Sequence, residues 1–495
     1  GGNNSFGYML EYLNYGSDGF KTLPSGKNTG FNKNDLVAKF KINLFPNAAI
    51  KQSLELKFQY ADEVGNETYL GLTDEDFNTN PFSRYAASNN DKMTTDHSQY
   101  MLTHKLDFSK NFRVTTTAYQ NNFSRNWYKL NDVTFNGVKK SIANILEDPT
   151  TLSNHFSLVN GTVDSGIDAL GVKANNRKYY SKGIQTKLDY HWYKGDSFHD
   201  LEIGLRYHYD EEDRFQWVDK YSISNTGVLS LTTAGKPGTN ANRIASAIAF
   251  ASYVTYKLKT DNWTFTPGIR YENILLQRED FGKNDVTRSG IDLATRENSV
   301  DVFIPGMGMN YKFNNDFSLF GGIHKGFSPP GNQDGQESEE SVNYELGTRF
   351  NLGKLKGELV GFLNDYSNLL GSDLAATGGT GTLEQFNAGE VNVNGMEVLL
   401  NYNLAIKGSK ISMPISFGYT FTNSEFQNSF DSSDGLWGVV SVGDEMPYIP
   451  KHQFNAALSL EHSSFEINLN ARYNGAFRTL AGTGTIAENE KVSSN

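Results

Sequence analysis

The stretch SLELKFQY, Ser53 to Tyr60, sets Leu54, Leu56, Phe58 and Tyr60 in alternation with Ser53, Glu55, Lys57 and Gln59. A period of two puts one set on each face of a β-strand, because successive side chains point to opposite sides of the pleat. LEIGLRYH, Leu201 to His208, repeats the pattern, with Leu201, Ile203, Leu205 and Tyr207 against Glu202, Gly204, Arg206 and His208. FEINLNARYN, Phe465 to Asn474, carries it almost to the end of the chain. Each run reaches about 10 residues, the length a tilted strand needs to cross a bilayer.

Working outward from these runs, the connections alternate in length. Short polar turns are predicted at Pro46–Ala49, Ser109–Asn111, Lys194–Ser197, Thr260–Asn262, Asn314–Asp316, Gly353–Lys354, Lys407–Ser409 and Ser463–Ser464. Between them lie long stretches rich in Gly, Asn, Ser and Asp, read as loops at Gly16–Lys33, Asp62–Ser98, Arg125–Ser181, Glu211–Ile244, Arg278–Ser299, Ser328–Ser341, Leu369–Asn394 and Glu425–Pro450. Tight turns on one side and long loops on the other are the asymmetry of an outer-membrane barrel, with turns periplasmic and loops external. The fold class expected is therefore all-β, a transmembrane antiparallel up-and-down β-barrel. About seventeen strands are predicted, from Ser5–Tyr15 to Phe465–Asn474, and residues 1–495 read as one barrel domain. Single-chain bacterial barrels have even strand numbers, so further strands are expected beyond one or both ends.

Composition agrees with that expectation. The chain has 495 residues with Tyr 26, Phe 33 and Gly 47, yet its mean hydropathy is −0.52. A helical span needs about 20 consecutive apolar residues, and none is present, whereas a barrel wall hides its apolar half in a polar average. Cysteine is absent, which excludes disulfides, thiolate metal sites and a cysteine nucleophile. The net charge of −11 disfavours a nucleic-acid partner. Gly1–Phe6 lacks the charged start and apolar core of a secretory signal, so export would use a segment preceding Gly1. Tyr100, Trp192, Tyr256, Trp263, Tyr311 and Tyr473 suit interfacial girdles.

Several segments resemble TonB-dependent outer-membrane receptors, particularly the branch of ferric citrate (ferric dicitrate) receptors. ETYLGLTDEDFNTNPFSRYAAS at Glu67–Ser88, TTTAYQNNFSRNWYKLNDV at Thr115–Val133 and DEEDRFQWVDKYSI at Asp210–Ile223 resemble that branch. HKGFSPPG at His324–Gly331, EESVNYELGTRF at Glu339–Phe350, FNAGEVNVNGMEVLLNY at Phe386–Tyr402 and VGDEMPYIPKHQFNAALSLEH at Val442–His462 resemble the superfamily's barrel whatever the cargo. The resemblance implies a barrel of about twenty-two strands, with two preceding Ser5 and three following Asn474, and a plug domain with an energy-coupling box before Gly1. It also implies import of a ferric chelate, coupling to the TonB complex through the plug, and contact with outer-membrane lipids and lipopolysaccharide. No resident cofactor or metal is expected, iron entering only within the cargo.

Neither a GxSxG elbow nor an HExxH pair is present, so catalysis is not expected. The scattered histidines, His208 and His324 among them, read as polar lumen residues, and the acids Glu211, Glu212, Asp213, Asp431 and Asp434 as solvated loop charge. A carboxylate-rich chelate calls for guanidinium groups converging at the outer mouth, because Arg makes planar bidentate contacts with carboxylates. The candidates are Arg125, Arg177, Arg214 and Arg243, read as loop-borne or near strand ends, with Arg206 facing the lumen by alternation. Asn332 and Gln333 after the Pro-Pro bend, with Gln385 and Asn387, would add amide groups. Uptake of a glycan, peptide, haem or cobalamin remains an alternative, with Trp217, Trp437 and Tyr448 as stacking platforms for a glycan, and so do a passive porin and a surface adhesion protein.

Overall fold

The computed structural model describes residues 1–66, 70–332, 334–372, 385–405, 408, 411–431 and 439–495, without the side chains of 371, 372, 385–388 and 405. Alternation in sequence becomes alternation in exposure. Leu205 and Tyr207 on one strand, Phe250 and Val254 on the next, then Ile269 and Phe303, all lie exposed on a common face. The opposite face carries Glu202, Arg206, His208, Arg270 and Glu272. Such a sheet is greasy on one side and wet on the other, as a barrel wall requires.

The sheet has 19 strands. In chain order they are β1 (Phe6–Ser17), β2 (Phe31–Leu44), β3 (Lys51–Gly65), β4 (Lys92–Asp107), β5 (Phe112–Phe135), β6 (Val138–Ser141), β7 (Leu170–Lys194), β8 (Ser197–Ile223), β9 (Leu229–Thr233), β10 (Ala241–Lys259), β11 (Trp263–Asp280) and β12 (Ala294–Lys312). They continue with β13 (Phe317–Ser328), β14 (Glu339–Leu352), β15 (Leu355–Ser372), β16 (Gln385–Ala405) and β17 (Ser412–Phe426). Two-residue ladder strands β18 (Phe430–Asp431) and β19 (Val439–Val440) intervene before β20 (His452–His462) and β21 (Phe465–Asn474), and β22 (Phe477–Arg478) pairs with β23 (Lys491–Val492). Within the sheet, β6 and β9 are hairpin outgrowths of 4 and 5 residues, which leaves 17 wall strands of the 19, each antiparallel to its neighbours along the chain. Strands β1 and β21 are the two edges of the sheet, and no ladder joins them among the described residues.

The short turns fall where the sequence places them, apart from Lys407 and Ser409, which lie outside the described residues. The long stretches depart from the loop reading. Strands β5, β7 and β8 run for 24, 25 and 27 residues, far beyond the 10 or so of a crossing, so much of Arg125–Ser181 and Glu211–Ile244 is paired strand. Arg125, Arg177, Arg214 and Arg243 are consequently strand residues, not loop residues. Glu211, Glu212 and Asp213 are likewise within β8.

Beyond the wall, two connections fold into a cap with an apolar core of its own. The β3–β4 connection contains α1 (Asp74–Thr79), capped by the Thr73 side chain accepting from the Asp76 amide. The β6–β7 connection contains α2 (Ile142–Glu147), capped by Ser141, and α3 (Ser153–Asn160), ended by Gly161 at φ 70°. Tyr85, Ala86, Ile145, Leu158 and Val159 from these segments bury against Leu130, Val133, Leu170 and Val172 on β5 and β7. A β-bulge between Leu130 and Asp132 lets Val133 join that cluster.

The turn-side aromatics form contacts suited to a girdle. Trp263 meets Tyr311 at 4.5 Å between ring centroids, and Trp192 stacks on His199 at 4.8 Å and lies 6.2 Å from Tyr256. Tyr100 instead packs on Phe58 within the wall, and Tyr473 stacks on Phe454.

Candidate functional site

Sheet register brings four of the predicted arginines abreast. Arg125 pairs with Arg177 across β5–β7, Arg177 with Arg214 across β7–β8, and Arg214 with Arg243 across β8–β10. Adjacent strands are roughly 4.8 Å apart, so the row sets four guanidinium groups side by side on the face that carries Arg206 and His208. Like charges directly opposite one another in a sheet repel. Partial relief comes from Glu212, two residues from Arg214 on the same face. Arg177 Nη1 donates to Glu212 Oε1 at 3.0 Å, and Arg214 Nε lies 2.9 Å from Glu212 Oε2. Arg125 lies over the Tyr179 ring at 6.0 Å. Arg243 is in register with Asp280 on β11, whose carboxylate accepts from Arg278 at 2.7 Å.

Electrostatics bear the strain of this arrangement. Burial pushes the Arg214 guanidinium below its ordinary range, and the neighbouring Arg177 adds to the shift against the pull of Glu212. Arg243 is pushed down to about 10, first by burial and then by Arg214 and Arg278. At that value Arg243 remains a cation at neutral pH. Arg214 and Arg243 sit 16 or more residues from the short turns, beyond the roughly ten residues of a membrane crossing.

Beside the row is a cavity of about 380 Å³, lined by Phe123, Tyr179, Glu212, Ala245 and Ala247 from the wall and by Gly331 and Asn332 from the β13–β14 connection. Asn332 thus lines a cavity shared with Glu212 and Tyr179, which contact arginines of the row. Gln333 lies outside the described residues. Gln385 and Asn387 stand in β16 in register with Ser372 and Leu370, and their side chains lie outside the described residues. Arg206 is placed elsewhere: it is eight residues from Arg214 along β8, about 26 Å at roughly 3.3 Å per residue. There its Nε donates to Tyr119 Oη at 3.2 Å, and Tyr119 Oη lies 2.6 Å from His208 Nδ1. Arg206 therefore belongs to the lumen wall and not to the mouth.

Several residues of the site were not singled out from sequence. Glu212 was read as solvated charge, yet it bridges two arginines. Tyr179 and Arg278 carried no local signal, because their roles depend on which strand lies beside them. Among the described residues no group of three or more His, Asp or Glu is arranged to hold a metal ion. The arrangement is a bank of planar donors over a cavity, which suits an anion bearing carboxylates or similar oxygens.

Comparison with solved structures finds the same fold in several receptors. The chain is similar to the ferric citrate transporter FecA in its unliganded form, with a TM-score of 0.67 at 18% identity, covering 96% of this chain and 62% of that one. It is similar to the ferric-catecholate import receptor Fiu of E. coli K12 in its open form, with a TM-score of 0.66 at 13% identity, covering 100% of this chain and 69% of that one. It is also similar to the siderophore receptor PiuA of Acinetobacter baumannii, with a TM-score of 0.66 at 14% identity, covering 99% of this chain and 70% of that one. The chain therefore spans a little over three fifths of the length of FecA. At these identities the likeness is one of fold. The model of the family described as TonB dependent receptor-like, beta-barrel matches residues 6–494. With a match of that extent over a sheet of this topology, the chain belongs to the TonB-dependent receptor β-barrel family.

Proposed function

We propose that this chain forms the outer-membrane wall of a receptor that imports an anionic ferric chelate, of the carboxylate type exemplified by ferric citrate, by energy-coupled transport. The observation that carries the reading is the row Arg125, Arg177, Arg214 and Arg243, beside a cavity that Asn332 helps to line. Guanidinium forks match carboxylate geometry, and a water-poor site strengthens each contact. FecA, Fiu and PiuA, whose names speak of ferric citrate, ferric catecholates and siderophores, support iron uptake as the general activity. A glycan platform has less support, since Trp217 lies on the opposite face of β8 from Arg214 and Trp437 is outside the described residues.

On this reading the exposed band that includes Ile184, Leu205, Phe250, Ile269 and Phe303 faces lipid, and the cap with its loops meets lipopolysaccharide. Coupling to TonB runs through a plug domain, as the resemblance implies. Iron is cargo, and no resident cofactor takes part.

The test is calorimetric titration of the natural full-length receptor with ferric citrate, beside a neutral ferric trihydroxamate. Ferric citrate is expected to bind and the neutral chelate not. Replacing Arg177 and Arg214 together by Met should weaken ferric citrate binding by at least 30-fold, since removing buried charged partners costs about 2–5 kcal/mol. Equal binding of both chelates, or an indifferent double variant, would refute the reading.

A further inference from the structure

Four residues further along the same face, Lys129 on β5 pairs in register with Lys173 on β7. Both are deeply buried, at 2% and 6% exposure. Their environments differ. Lys129 has an aromatic ring and a carboxylate at hand: its Nζ stands 4.3 Å over the Trp127 ring, and Asp91, which accepts from the Leu130 amide, attracts it. Lys173 has no hydrogen bond or ion pair among the described residues. The charges that act on it most strongly are cations: Arg177, Arg214, Arg243 and Lys283, the last from the β11–β12 connection. Glu212, on the same face, is already shared between Arg177 and Arg214.

Two more buried donors stand on this face, Gln216 between Lys173 and the arginine row and Arg177 within the row. Gln216 is 3% exposed, and its Nε2 is buried without an acceptor among the described residues. Arg177 Nε is likewise buried without one. Buried polar groups are ordinarily satisfied, and an unpaired buried ammonium is costly. Beside Lys173 on this face, the unsatisfied atoms of Gln216 and Arg177 are both donors. The complement of such a cluster is an anion with several acceptor oxygens.

We infer that Lys173, with Gln216, forms the outer tier of a two-tiered anion site, in which the arginine row, Arg177 included, holds one acidic group of a polyanionic cargo and Lys173 docks another. This deepens the proposed function and rests on its reading of the arginine row as a cargo site. A polyanion reaches both tiers, whereas a small monoanion satisfies only one. Docking is linked to proton binding. Burial and the surrounding cations push the uncomplexed Lys173 ammonium down to about 8, so above that pH it is largely neutral. An anion restores its charge, and the Nζ takes one proton from solvent as the complex forms. Affinity is therefore constant below about pH 8 and falls by up to tenfold per unit above it, the slope of a single linked proton.

The experiment uses the natural full-length receptor in detergent, titrated with iron-free citrate and with ferric citrate from pH 7 to 9.5. Citrate keeps all its carboxyls ionised through that window. The expected result is a fall in citrate affinity through pH 8, with net proton uptake read by calorimetry in two buffers of different ionisation enthalpy. Lys173→Arg should keep the neutral-pH affinity within about threefold and abolish the fall, because a guanidinium stays protonated. Lys173→Met should lose at least tenfold at pH 7 and also give a flat profile. A flat profile for the natural receptor, or unaltered binding by Lys173→Met, overturns the inference. If ferric citrate is bound with that flat profile, the proposed function survives while the second tier fails. If citrate follows the predicted profile and no ferric chelate is bound, the cargo reading fails while the anion site stands. Heat-modifiable gel mobility establishes that each variant is folded.

Discussion

Glu212 holds together two guanidinium groups that would otherwise repel across the β7–β8 pair. Its carboxylate lies 3.0 Å from Arg177 and 2.9 Å from Arg214, and it also lines the neighbouring cavity. Under the proposed function, an internal carboxylate in that position competes with a carboxylate brought by cargo. Glu212→Gln should therefore tighten citrate binding several-fold and steepen its dependence on salt, while lowering fold stability by about 1–3 kcal/mol as the two arginines lose their shared acceptor. Calorimetry at two ionic strengths and chemical denaturation read the two effects. A weaker complex would mean that Glu212 positions the arginines and does not compete. Neighbouring acids act differently: Asp213, one residue on and on the other face, receives Arg288 from the β11–β12 connection and ties that loop to β8.

Among the elements, the long strands β5, β7 and β8 are what carry the arginine row beyond the length of a membrane crossing. In their inner halves apolar residues alternate with polar ones, as in Leu201 to His208. In their outer halves polar residues occupy both faces, as in DEEDRFQW at Asp210–Trp217, so the hydrophobic period fades although the ladder continues. That is why the sequence reads as loop where the backbone is strand. The cap steadies these extensions by burying Leu158 and Val159 of α3 against β5 and β7. Leu158 is 1% exposed, so Leu158→Ala should cost about 2–5 kcal/mol locally. Faster hydrogen exchange in residues 70–91 and 142–169, with unchanged exchange in β13 and β14, is the expected outcome. Uniformly faster exchange throughout the wall would show that the cap and barrel unfold as one unit.

For the molecule as a whole, the two faces of the sheet have opposite tolerance. Leu346 is 63% exposed on the apolar face near the middle of β14, while its neighbour Glu345 faces the other side and lines a larger cavity of about 770 Å³ with Arg270, His324 and Arg349. Refolding into lipid vesicles should distinguish them. Leu346→Arg is expected to destabilise the inserted protein by about 2–4 kcal/mol, the cost of a cation near the bilayer centre, whereas Glu345→Gln should stay within about 0.5 kcal/mol. Equal effects would place β14 out of contact with lipid. The net charge of −11 does not predict the arginine row, because a whole-chain sum carries no information on which cations strand register sets side by side.

The sequence alone determined the all-β fold, the direction of its two faces and the positions of the short turns. These follow from local rules: side chains alternate along any strand, and turn residues act within four positions. It also offered candidates for an anion site, Arg125, Arg177, Arg206, Arg214 and Arg243 with Asn332, Gln333, Gln385 and Asn387, since residue type limits which groups can grip a carboxylate. Only the tertiary structure decided that Arg125, Arg177, Arg214 and Arg243 stand abreast while Arg206 lies some 26 Å deeper, that Glu212 bridges two of them, and that Lys173 is buried among cations. Register between strands is set by ladders joining residues tens of positions apart, and a shift of one residue would send each side chain to the other face. No local pattern encodes that alignment, so the chemistry of the mouth emerges only when the strands are paired.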